Sequence, residues 1–105
     1  MERMELGSIV IVSLRDPKEK IWGELVGLTG AGITLRGIDL NSFDDFIRQA
    51  KDPEEAPLGL PTVFYPMFRV ERIALDEPRG DIPSLAQTFE RQVGRTVSDF
   101  LAGLG

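Results

Sequence analysis

Ile9-Val10-Ile11-Val12-Ser13-Leu14 is an almost unbroken run of apolar and β-branched positions, which predicts a strand buried on both faces. A charged, proline-bearing turn follows at Arg15-Asp16-Pro17-Lys18-Glu19-Lys20. From Ile21 to Leu28 the pattern alternates, with Ile21, Gly23, Leu25 and Gly27 on one face and Trp22, Glu24, Val26 and Leu28 on the other. Two side chains are therefore missing from one face of this strand, which lets a short sheet bend sharply. Thr29-Gly30-Ala31-Gly32 predicts a hairpin loop in which glycine supplies positive φ, and Ile33 and Leu35 then resume the alternation opposite Thr34 and Arg36.

The period changes at Asn41-Ser42-Phe43-Asp44-Asp45-Phe46-Ile47-Arg48-Gln49-Ala50-Lys51. Phe43, Phe46, Ile47 and Ala50 recur at helical spacing, acids open the segment, bases close it and Pro53 stops it, so a short amphipathic helix is predicted. Residues 54–61 form a proline-punctuated connector. Two further strands are expected at 62–68 and 69–75, with a corner near Met67; the first has Val63, Tyr65 and Met67 on one face and Phe64 and Phe68 on the other. Pro66 lacks an N–H and belongs on an edge or at a bend. After the turn-rich link 76–81, Ser84-Leu85-Ala86-Gln87 is a capping box for a helix ended by Gly94, and Thr96-Val97-Ser98-Asp99 repeats the signal. Leu85, Phe89, Val93, Val97, Phe100, Leu101 and Leu104 make an apolar stripe that is expected to pack on the sheet or on a partner.

Several chemistries drop out on composition. The 105 residues include no cysteine and no histidine, which removes thiolate and imidazole nucleophiles, bases and metal ligands together, so neither an enzyme nor a metal or cofactor site is expected. The glycine-rich GLTGAG of residues 27–32 is out of register for a dinucleotide fingerprint, lacks a following Lys-Ser/Thr and leads into a strand. Asp44-Asp45 is accounted for by helix-dipole complementarity. The tripeptide Arg79-Gly80-Asp81 is too short to carry an adhesion reading.

Net charge is −5, and residues 41–61 alone, with two bases and five acids, supply −3 of it. That balance disfavours nucleic acid, whose affinity comes largely from phosphate neutralisation. There is no apolar run of membrane-spanning length, and MERMELGS does not read as a secretory signal, so a cytoplasmic protein without membrane association is expected.

The order of strand, charged turn, glycine-bent strand, hairpin, strand, insertion and two strands about a corner resembles the Sm-like (LSm/Hfq-type) family over residues 8–75. The local likeness is best in Gly23-x-Leu25-x-x-Leu28 followed by Ile33-x-Leu35. The resemblance implies a mostly β, five-stranded small barrel at 1–78 with an acidic helical insertion at 41–61, a C-terminal helical appendage at 79–105, and assembly into cyclic rings. It does not carry over an RNA site. Thr29 stands where the family usually has an acid, and Tyr65-Pro66-Met67-Phe68 stands where its bacterial branch presents a Lys-His pair.

The expected function is thus a non-catalytic, self-associating barrel that binds protein or serves as a scaffold. Val63, Phe64, Tyr65, Met67 and Phe68 are the candidate subunit interface. The alternative is a single-stranded RNA binder using Arg36, Tyr65, Phe68, Arg69 and Arg72 for charge and stacking.

Overall fold

The computed structural model describes residues 4–52, 54 and 59–103. Pro53 as a helix stop, residues 55–58 of the connector, and Leu104 of the apolar stripe lie outside the described residues. The elements are β1 (Ile9–Leu14), β2 (Glu19–Thr29), β3 (Gly32–Asp39), α1 (Phe43–Lys51), β4 (Thr62–Pro66), β5 (Val70–Leu75), α2 (Leu85–Val93) and α3 (Val97–Gly103). By contact the chain divides into a strand unit, Met1–Leu40 with Leu60–Leu75, and a helical unit, Asn41–Gly59 with Asp76–Gly105.

In the strand unit five strands form one antiparallel sheet in the order β4-β3-β2-β1-β5. Alternation sets its faces. Val10, Val12 and Leu14 of β1, Ile21 and Leu25 of β2, and Ile33 and Leu35 of β3 are buried in one cluster. Val63 and Tyr65 of β4 and Val70, Ile73 and Leu75 of β5 pack against the same cluster, so both edge strands reach the core that the central strands line. A sheet that brings its edges to one core is strongly curved. Removing each such aliphatic side chain from water is worth about 1.5–3 kcal/mol, which makes this face the main source of the unit's stability.

The curvature has a local cause. Gly23 and Gly37 lie opposite one another on β2 and β3. A β-carbon at Gly23 would overlap the Arg36 carbonyl oxygen and stand 2.5 Å from the Gly37 Cα, and one at Gly37 would stand 2.6 Å from the Trp22 carbonyl oxygen. Only a pair without side chains lets the backbones approach so closely. Two residues further on, the register shifts between Leu25 and Gly27, leaving Val26 as the extra residue of a bulge that adds to the bend.

Three expectations are corrected. The run in β1 is not buried on both faces: Val10, Val12 and Leu14 are buried while Ile9, Ile11 and Ser13 are only half-buried, because alternate side chains of a strand point to opposite sides. The hairpin between β2 and β3 does not place Gly30 at positive φ; the Thr29 hydroxyl instead accepts the Ala31 N–H at 3.1 Å and holds the turn. The sheet also does not close into a barrel. β4 ends at Pro66, the 3-10 turn Met67–Arg69 redirects the chain, and β5 joins β1, so β4 and β5 each keep one edge without a neighbouring strand among the described residues.

The insertion and the C-terminal appendage, read from the sequence as separate attachments, make up one helical unit. α1 buries Phe43, Phe46 and Ile47 at i, i+3 and i+4, with Asp44 and Asp45 in its first turn and Arg48 and Lys51 in its last. Phe46 stacks on Phe89 of α2 at 5.4 Å between centroids and meets Phe100 of α3 edge-on at 5.7 Å; Phe89 and Phe100 are 5.5 Å apart. Such contacts add about 0.5–1.5 kcal/mol each beyond the area they bury. The stripe predicted to seek the sheet or a partner therefore packs, through Phe89 and Phe100, on the insertion helix.

The start of α2 is fully capped. Ser84 and Gln87 form the expected capping box, and the Asp76 carboxylate accepts the N–H groups of Leu85 and Ala86 at 2.8 Å each. Gly94, at φ 86°, ends the helix in the left-handed conformation that a side chain would strain.

Gly23→Ala is expected to destabilise the protein by roughly 1–3 kcal/mol, the range for forced overpacking, because the atoms the new methyl would meet are backbone and cannot rotate away. Thermal and urea unfolding measure the effect. An unchanged midpoint would contradict the close backbone approach.

Candidate interaction surface

The outer edge of β4 follows from two hydrogen bonds at its ends. Met67 N–H donates to Ala31 O and Gly37 N–H donates to Pro61 O, both at 2.9 Å. In an antiparallel ladder bonding residues alternate, so Val63 and Tyr65 also bond toward β3, whereas Thr62, Phe64 and Pro66 turn their peptide groups outward. Thr62 and Phe64 are exposed, and the Phe64 ring, 55% exposed, lies on the face opposite the core. Phe68, on the corner turn, is 74% exposed.

β5 has a different edge. Leu25 N–H donates to Ser8 O, which sets the even-numbered residues of β1 toward β2 and leaves Ile11 and Ser13 to bond with Ala74 and Arg72. Ile73 and Leu75 consequently turn their peptide groups outward while their side chains point to the core. The ladder is broken between Ser13 and Leu14, and Glu71 and Arg72 are exposed beside the break.

Between β4 and β5 the corner is tied by two arginines. The Arg15 N–H donates to Arg69 O and its Nε to Phe68 O, both at 2.9 Å. Arg69 returns the contact, with Nε donating to Arg15 O at 3.0 Å and a terminal nitrogen to Pro17 O at 2.8 Å, and it lies 3.9 Å from a Glu19 carboxylate oxygen. The β1–β2 turn and the corner turn thereby hold one another. Arg15 was no candidate in the sequence, where one arginine in a charged turn gives no sign of its distant partner.

The residues read as an RNA or partner surface do not converge. Arg69 is engaged in the corner. Arg36 lies on β3 opposite Glu24, their charged atoms 3.8 Å apart. Arg72 is on β5, three strand spacings or roughly 14 Å away across the sheet. Tyr65 faces the core, and Phe68 stands out at the corner. The candidate subunit interface also divides by face: Val63 and Tyr65 pack inward, Met67 is half-buried in the corner turn, and Phe64 and Phe68 are the two exposed rings.

Tyr65 has its phenol pushed above the ordinary value near 10, first by burial, then by the negative charge of Glu19 and, more weakly, of Asp39, with Arg69 pulling the other way. In the helical unit, two open grooves of about 350 and 370 Å³ flank α1, lined by Asp44, Asp45, Arg48, Lys51, Asp52 and neighbours. They are shallow and carry charges of both signs. No helix among the described residues is long and apolar enough to cross a membrane. The chain matches no family model, no curated protein and no solved structure.

Arg69→Ala is expected to cost about 1–3 kcal/mol, since it removes two charge-assisted bonds to carbonyls, whereas Arg36→Ala, losing a half-exposed ion pair at 3.8 Å, should cost less, within about 1 kcal/mol. Urea unfolding of the two variants side by side tests the contrast; equal effects would contradict the corner tie.

A second test uses the chain's one tyrosine. Because the folded phenol is harder to ionise than the unfolded one, its stability contribution is complete below pH 10 and declines as pH rises through the folded value. Absorbance titration should place the phenolate midpoint of the folded protein above that of the protein in denaturant. Tyr65→Phe should remove this part of the alkaline loss of stability. Coincident midpoints would contradict the burial and charge environment of the ring.

Proposed function

We propose that the protein is a non-catalytic β-sheet module, a divergent relative of the Sm-like small barrels, that self-associates through the strands of residues 62–75 and serves as a scaffold or protein-binding unit. The observation that carries this reading is the outer edge of β4. Thr62-Val63-Phe64-Tyr65-Pro66 contains no charged residue, its outward peptide groups have no neighbouring strand among the described residues, and Phe64 and Phe68 are exposed beside it. Edges of this kind pair readily with another strand unless charge, proline or a bulge blunts them, and here only Pro66 does so, at one end.

The relation to Sm-like barrels is supported by the succession of elements along the chain, by the glycine-relieved bend in β2 and by the short corner turn between β4 and β5. Non-catalytic use is supported by a sequence without histidine or cysteine. A second reading, single-stranded RNA binding, draws on the exposed rings of Phe64 and Phe68 as stacking surfaces. It is the weaker one, because Arg69 is committed to the corner and Arg36 and Arg72 are far apart.

Light scattering on a sizing column should give a mass that is a multiple of 11.6 kDa at high protein concentration. Anisotropy titrations with short oligo-U and oligo-A at low salt should show no micromolar affinity. A clean monomer throughout would refute self-association, and tight, salt-sensitive RNA binding lost in Arg72→Ala would replace it with the second reading.

A further inference from the structure

We infer that the occupant of the β4 edge is the same edge of a second copy, paired antiparallel about a two-fold axis at Phe64 so that the two sheets become one of ten strands. The inference rests on the self-association proposed above and goes further by fixing partner, register and symmetry.

The donors and acceptors along this edge are self-complementary. The outward donors are the N–H groups of Thr62 and Phe64, and the outward acceptors are the carbonyls of Thr62, Phe64 and Pro66. Setting Phe64 opposite Phe64 of the second copy gives two reciprocal bonds at the axis. The same register brings each Thr62 N–H to a Pro66 carbonyl. Every outward donor of the strand is then satisfied, and the N–H that Pro66 lacks leaves only a Thr62 carbonyl open to water. A register displaced by two residues toward Pro66 leaves the Thr62 donor without an acceptor, and one displaced toward Thr62 takes the two Phe64 rings out of direct opposition.

Side-chain parity selects the same partner. Opposed residues in an antiparallel pair share one side of the sheet. Phe64 meeting Phe64 joins outer face to outer face and core face to core face, and it lays the two exposed rings against each other. An antiparallel head-to-tail pairing of β4 with β5, of the kind a ring would use, is mismatched. Residues bonding outward on β4 carry outer-face side chains, whereas Ile73 and Leu75, bonding outward on β5, carry core-face side chains. The outer face of one copy would then run into the core face of the next. Charge points the same way, since β4 is neutral and regular while β5 is interrupted and flanked by exposed Glu71 and Arg72.

The test exploits a chain that contains no cysteine. Opposed residues of a bonded antiparallel pair have Cα atoms about 5.5 Å apart, inside the roughly 4.4–6.8 Å span of a disulfide. Phe64→Cys in the full chain, oxidised under native conditions, is expected to give a covalent dimer and nothing larger. Thr62→Pro removes one outward donor while leaving the ladder to β3 intact, and should raise the dimer dissociation constant at least about tenfold with little change in melting temperature.

A wild-type protein that stays monomeric overturns both self-association and this pairing. An oligomer in which Phe64→Cys does not link to itself, or whose dissociation constant Thr62→Pro leaves unchanged, overturns the two-fold pairing alone.

Discussion

The sheet depends on the place where β2 and β3 come closest. At Gly23 and Gly37 the two backbones approach within a distance that no β-carbon would allow, and the strands bend there. Because they bend, β4 on one side and β5 on the other both reach the cluster built from Val10, Val12, Leu14, Ile21, Leu25, Ile33 and Leu35. A flat sheet of these five short strands would leave the edge residues Val63 and Leu75 without that cover. The bulge at Val26 contributes to the same end by adding a residue to one strand only.

The corner between β4 and β5 solves a second problem, how to turn the chain without leaving polar backbone unpaired. Met67 is bonded to the hairpin through Ala31, while Arg15 and Arg69 fill carbonyls of each other's turns. Arginine suits this task because its planar guanidinium offers several fixed donors and stays charged at any accessible pH. Two of the strand unit's cations, Arg15 and Arg69, are thus structural. That lowers the charge available for nucleic acid in a protein already at −5.

The helical unit is organised around three phenylalanines, one from each helix, far apart in sequence and within 5.7 Å of one another in pairs. Its polar ends are satisfied locally: Asp76 and Ser84 cap α2, Thr96 accepts the Asp99 N–H at 3.0 Å at the start of α3, and Arg95 lies over the Phe100 ring at 5.6 Å. Each of these contacts spans no more than ten residues. The aromatic cluster, by contrast, joins the insertion to the C-terminal segment.

The sequence by itself determined the elements and their local chemistry. Alternation, helical period, the capping box at Ser84 and the glycine at 94 are signals within a few residues, and the strands, helices and caps they predict are present. The bend was legible at Gly23, a glycine inside a strand, but Gly27, expected on the same face, lies beyond the bulge opposite Thr34 on the other side of the sheet. What only the tertiary structure decided was everything that depends on partners distant along the chain. Phe46 could not be matched to Phe89 and Phe100 from spacing alone, nor Arg15 to Arg69, and the candidate cations Arg36, Arg69 and Arg72 looked like one set until the sheet order separated them. Whether β4 met β5 was equally hidden. The answer hangs on the direction in which three residues, Met67–Arg69, turn the chain, and on hydrogen-bond parity that residue type does not encode.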